Sequence, residues 1–198
     1  MFLNLKEIYL PAWQIFLKNW WEYIVVTLVM FILVFIPFVG AILQVFVIFS
    51  IINAMLKAVK NNQINFSDFL KFKDIFNFKT VAFAAVLGIY YFLIQNFPSV
   101  SILLSLFGAV LSVIFFPVFC VLIDKNFTIK DTILYSAKLT KGVRAEIVFI
   151  MLMNLLIGIA GAFLLFVGVF VAMPVALIAT VKVYTLLENR LNSQTPQI

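Results

Sequence analysis

Apolar residues run in long stretches at about 20–37, 41–58, 79–96, 100–123, 146–166 and 169–187, and polar residues gather between pairs of these stretches. A run of about 20 apolar residues is what a helix needs to cross a hydrocarbon core of about 30 Å. The runs are continuous rather than alternating, which argues against a membrane β-barrel. Inside each pair the connection is short: PFVG (37–40), NFPS (96–99) and the region around Gly168. Proline and glycine suit tight turns, and short connections make antiparallel neighbours. The pattern predicts an all-α polytopic membrane protein of six transmembrane helices arranged as three hairpins.

The polar segments have a pattern of their own. Asn4 is followed three residues on by Glu7, Asn65 by Asp68, and Thr128 by Asp131. Each pairs a helix-capping side chain with an acid that reaches back to the positive helix end. The acids recur at nearly equal intervals, and Lys18, Lys79 and Gly142 each sit eleven positions beyond their acid. The chain therefore reads as three repeats, about 1–60, 61–124 and 125–190, with 191–198 as a tail. Each unit is a capped amphipathic helix at the cytoplasmic surface followed by a hairpin through the membrane. In FSDFLKFKDIFNFK, Phe66, Phe69, Leu70, Phe72, Ile75, Phe76 and Phe78 fit a lipid boundary while Asp68, Lys71, Asp74 and Asn77 face water. The third segment, FTIKDTILYSAKLTKG, is more polar and also suits packing against the bundle. In the first, Pro11 is expected to bend or end the helix. Ordinary cytoplasmic loops with helical content are the plainer alternative for all three.

Composition agrees with the pattern: 65% of the 198 residues are hydrophobic and 11% charged, against about a quarter charged in soluble domains. The fourteen cations and eight acids, a net charge of +6, lie in the termini, the two long connections or the adjoining span ends. The three short turns carry none. The positive-inside rule then places both termini and both long connections in the cytoplasm. The first residues lack the basic and small-residue features of a cleavable signal. The excess of Lys over Arg, with abundant Phe, Ile and Asn, suggests AT-rich coding in a bacterium, and hence its inner membrane.

Candidate chemistry is sparse. There is no histidine and one cysteine, Cys120, set among apolar residues, so neither a zinc site nor a disulfide within the chain is expected. No nucleophile, phosphate-loop or dinucleotide motif occurs. The acids read as scattered singly, so no catalytic residue, metal or cofactor is expected, and no nucleic-acid partner. Glu22 reads as a headgroup-level carboxylate or a partner of Lys18 one turn away. Asn53 and Asn154 are the intramembrane polar candidates, as interhelical hydrogen-bond glue or as the wall of a polar cavity. Pro117 and Pro174 are expected to kink spans four and six. Gly158, Gly161 and Gly168 are expected to let helices approach closely. Lys71, Lys73, Lys79, Lys138, Lys141 and Arg144 are the candidate contacts for anionic headgroups of the cytoplasmic leaflet.

The surface helix ending in Lys141–Gly142, the turn near Gly168 and the Pro174-containing span leading into VYTLLE resemble a group of small bacterial six-helix membrane proteins. These are similar to the membrane domain found beside glycerophosphodiester phosphodiesterases. The likeness lies in spacing more than in identities, and no segment is long enough to hold the phosphodiesterase domain. The resemblance implies an envelope or lipid-related role and carries over no functional residue. The expected function is therefore a non-catalytic inner-membrane protein that supports assembly of an envelope component or handles lipid, with a membrane-protein partner or a second copy of itself. A small transporter or channel for an uncharged or amphipathic solute is the alternative.

Overall fold

The protein is described here by a computed structural model covering residues 3–34, 39–61, 66–69, 79–83, 85–86, 108, 111, 113, 116–125, 127–164 and 167–194. The described residues form helices and no strand. They are α1 (Leu5–Lys18), α2 (Trp20–Val34), α3 (Val39–Asn61), α4 (Phe66–Phe69), α5 (Val118–Asp124), α6 (Ile129–Leu139), α7 (Arg144–Phe163) and α8 (Val167–Gln194). By length and composition, α7 and α8 can each cross a membrane, and α1 with α2 can make a third, bent crossing. The runs expected at 79–96 and 100–123 fall largely outside the described residues, as do Asn65, Lys71 and Lys73.

α1 is built on an apolar stripe one turn apart, Ile8, Ala12 and Phe16, all buried. The Asn4 side chain accepts from the Lys6 N–H at 3.1 Å and donates to Glu7 Oε1 at 3.4 Å. Of the two outcomes expected at Pro11, a bend or an end, the helix does not end there; α1 continues to Lys18. The proline deprives the Glu7 carbonyl of its donor, and Glu7 lies on the exposed side of the helix. The stripe carries the helix through. It ends at Asn19, and α2 leaves at 92° to α1. Lys18 and Glu22 thus stand on two different helices on either side of this bend.

α8 is the central element, packed against α1, α2, α3, α6 and α7. Ile178, Ala179, Tyr184 and Leu187 of α8 join Ile147 and Ile150 of α7, Met55 of α3 and Tyr23 of α2 in one core. The α7–α8 hairpin closes where backbones touch. A Cβ on Gly161 would lie 2.6 Å from the Ala172 Cβ and 2.8 Å from the Gly168 carbonyl oxygen, and one on Gly168 would strike the Gly161 backbone. Gly158 has no such role, since a Cβ there meets nothing within 4 Å. Pro174 lies inside a continuous α8. Pro117 occupies a turn and caps α5 instead of lying within a longer described helix.

Candidate functional site

Two polar clusters interrupt this apolar packing. The first is ionic and joins α3, α5 and α8. Lys60 Nζ lies 2.5 Å from Asp124 Oδ1, and the Tyr184 hydroxyl donates to Asp124 Oδ2 at 2.8 Å. Lys125 Nζ lies 3.7 Å from Asp124 Oδ2 and pairs closely with Glu188 Oε1. The side chains of Asp124 and Glu188 are 13% and 10% exposed, so water screens these pairs less than it would a surface bridge. Burial disfavours the Asp124 carboxylate. Hydrogen bonds from Lys60 and Tyr184, with the charges of Lys60 and Lys125, outweigh that and hold it below the ordinary carboxyl range. The bond to Glu188 raises Lys125 in spite of burial. Nearby, Lys57 pairs with Asp68 at 3.3 Å, and the Ser50 hydroxyl donates to the Phe69 carbonyl, so α4 is pinned to α3.

The second cluster is uncharged and ties three helices together. The Tyr9 hydroxyl of α1 donates to Asn154 Oδ1 of α7 at 2.8 Å. Asn154 Nδ2 donates to Thr180 Oγ1 of α8 at 3.4 Å, and Thr180 donates to the Ala176 carbonyl at 2.9 Å. Burial pushes the Tyr9 hydroxyl up to about 12, so it remains a neutral donor. Such interhelical bonds contribute about 0.6 kcal/mol each in membrane bundles. At the start of α7, Glu146 accepts from the Leu3 N–H at 2.7 Å. α1 is therefore fastened at both Glu146 and Asn154.

Cavities flank the second cluster. A cleft of about 390 Å³ has Asn154 and Thr180 in its wall beside Gly158, Met173 and Leu177. An open groove of about 990 Å³ lies between α1, α7 and α8 and is walled almost wholly by hydrocarbon, with Lys6 and Tyr9 on its α1 side. Among the described residues no three acids or cysteines gather. No family model, curated protein or solved structure matches the chain.

The residues singled out from sequence are dispersed. Asn154 bridges α1, α7 and α8 by hydrogen bonds and also lines the cleft, whose wall is otherwise mostly apolar. Asn53 is half-buried in α3 and takes no part in these hydrogen bonds. Lys138, Lys141 and Arg144 are exposed around the α6–α7 turn, and Lys79 is half-buried. Cys120 is buried against α3 and α8 residues such as Ile48 and Val181. The acids are not scattered singly, because Lys125 lies between Asp124 and Glu188. Sequence reasoning missed this network and Tyr9. A signal was present: Tyr184 and Glu188 stand one turn apart and so share a helix face, and Asp124–Lys125 closes the apolar run before it.

Proposed function

We propose that the chain is a six-span inner-membrane protein of three surface-helix-plus-hairpin repeats, with both termini cytoplasmic, that acts without catalysis by binding lipid or supporting an envelope component. The observation that carries this reading is the elbow between α1 and α2. Two helices that meet at 92° suit one lying along a membrane surface and one entering the bilayer. Trp13, Trp20 and Trp21 are exposed at that elbow, from 43% to 63%, where amphipathic indoles prefer the headgroup level. The Tyr9 hydroxyl ties α1 in at the level of Asn154 and Thr180. Beyond that level α8 carries Lys182, Glu188 and Arg190, a composition suited to cytoplasm.

Exposed leucines on α7, Leu152, Leu155 and Leu156, fit a lipid-facing surface, since water would penalise so large an apolar area. The almost wholly apolar groove favours lipid over a polar solute. The spacing likeness to small bacterial six-helix membrane proteins points the same way. Lys138, Lys141 and Arg144, exposed where α6 turns into α7, are placed by this reading against anionic headgroups, each worth about 1 kcal/mol before screening. A transporter for an uncharged or amphipathic solute is the second reading, and the Asn154–Thr180 cleft is what favours it.

Cysteine labelling tests the arrangement. In a Cys120→Ala background, cysteines at Phe38, Phe97 and Val167 should react with an impermeant reagent added outside intact cells, and cysteines at Leu134 and Ser193 should not. Leu134 is the informative inner position because it is 56% exposed, whereas Ser136 on the same helix is wholly buried. Labelling at Leu134 from outside would sink the orientation. Proteoliposomes separate the two functional readings: a transporter must carry glycerol-sized solutes faster than empty vesicles.

A further inference from the structure

We propose that the ionic cluster at Lys60, Asp124 and Tyr184 is a gate that closes the cytoplasmic end of a path for a small uncharged solute. This rests on the second reading above and adds the route and the groups that shut it. A cavity of about 200 Å³ lies between α3, α5 and α8, with Ile52, Cys120 and Thr180 in its wall. Each of these helices carries its share of the cluster further along the chain. Asp124 and Tyr184 stand one turn beyond Cys120 and Thr180, and Lys60 about two turns beyond Ile52. In the proposed membrane arrangement all three helices run towards the cytoplasm. The cluster is then the lid, and the cavity lies beneath it.

The path continues away from the lid. The cleft beside Asn154 shares Leu177 and Thr180 with this cavity, so the two adjoin there. Its wall on α8 runs from Val169, close to the outer turn, to Thr180, roughly 16 Å at about 1.5 Å per residue. The turn from Thr180 to Tyr184 adds about 6 Å, and together they cover most of a hydrocarbon core of about 30 Å. Among the described residues lining the cleft and the cavity none is charged. An ion would therefore lie there uncompensated, whereas the Asn154 amide and the Thr180 hydroxyl can meet a solute hydroxyl. Charges suit the lid because they separate into water: the Lys60 side chain is already 39% exposed, and cytoplasm hydrates the parted ions. A hydrocarbon plug at the same mouth would have to expose apolar surface to open.

Cys120, the chain's one cysteine, is 1% exposed beneath the lid and reports on it. Inside-out vesicles carrying the full chain present the cytoplasmic face to a small impermeant methanethiosulfonate. Wild type should label slowly. Lys60→Gln and Asp124→Asn should each label about tenfold faster, the scale of a partly buried ion pair. Ala12 is wholly buried under α1 and separates gating from general loosening: Ala12→Cys, in a chain with Lys60→Gln and Cys120→Ala, should stay unlabelled. In proteoliposomes Lys60→Gln should take up glycerol several-fold faster than wild type. Reaction at Cys120 should block that gain, and the same reagent should leave Lys60→Gln with Cys120→Ala unblocked. Unchanged Cys120 labelling in both variants overturns the gate, even when wild-type proteoliposomes carry glycerol and the transport reading stands. Equal labelling at Ala12→Cys overturns it in favour of a cluster that only holds the fold together. Fast Cys120 labelling with no glycerol uptake by any variant overturns the path, and the transport reading fails with it.

Discussion

α1 and α6 begin alike and end differently. α1 and α6 both start at a capping side chain with an acid in the first turn. α1 then buries hydrocarbon, Ile8, Ala12 and Phe16, against the last hairpin and breaks through 92° into α2. α6 buries Thr132, Ser136 and Leu139, packs chiefly on α5, and passes through Gly142 in the left-handed region (φ 84°) into α7. The lesson is that an equal cap sets where a helix starts but not what holds it. α1 is held by packing; α6 sits beside the ionic cluster around Lys125 and has less apolar surface to lose.

The largest expected effect follows from that difference. Phe16 is 3% exposed and stacks between Trp13 and Tyr23, with ring centroids 5.6 and 6.0 Å apart. Phe16→Ala should cost about 3 kcal/mol, the scale for deleting a buried aromatic, and release α1 ahead of the rest. Hydrogen exchange over 5–18 should rise sharply while 129–139 stays protected. Equal loosening of both segments would show that α1 and α6 do not depend on separate supports.

Next comes the ionic cluster. Asp124→Ala leaves Lys60, Lys125 and the Tyr184 hydroxyl without their shared acceptor. Lys60 reaches water, so the cost should be roughly 2 kcal/mol, between exposed and buried pairs. The sign of the pH dependence follows from the shift. A carboxyl held below its ordinary value stabilises the fold fully above the unfolded-state range, and that contribution is lost as pH falls through the folded value. Wild type and Asp124→Ala should therefore converge in thermal stability towards acid pH and stay apart at neutral pH. A constant gap down to strong acid would mean that Asp124 acts by packing. Lys125, raised by Glu188, has the opposite sense: its contribution is complete at neutral pH and fades in strong alkali.

What the sequence made legible were features with a short period. The cap pairs at Asn4 and Thr128, the apolar runs that became α7 and α8, and the close approach at Gly161 and Gly168 rest on local spacing or on the absence of a side chain. Asn154 was visible as a polar residue in an apolar run. Its partners were not, because Tyr9 and Thr180 lie 145 and 26 residues away. The same holds for Asp124 with Lys60 and Tyr184, 64 and 60 residues apart. At Pro11 local propensity left a bend or an end open, and the stripe through Ala12 to Phe16 carries the helix past it.

The smallest effect concerns the caps, where the two helices should part most clearly. Thr128 Oγ1 accepts from the Asp131 N–H at 3.2 Å and donates to Asp131 Oδ2 at 2.6 Å. The carboxylate thus engages the Thr128 hydroxyl, and Asp131→Ala would remove that bond while the N–H that the cap receives survives. Thr128→Ala removes the acceptor itself and should cost about 1 kcal/mol, with Asp131→Ala costing about half as much. In α6, an eleven-residue helix with a largely polar buried face, either loss should raise hydrogen exchange across most of 129–139. Asn4→Ala removes the corresponding acceptor for the Lys6 N–H, yet the exchange increase should stop within the first turn of α1, where Ile8 is wholly buried. If Asn4→Ala loosens α1 to Lys18 as Thr128→Ala loosens α6, capping rather than packing holds both helices, and the contrast drawn between them fails.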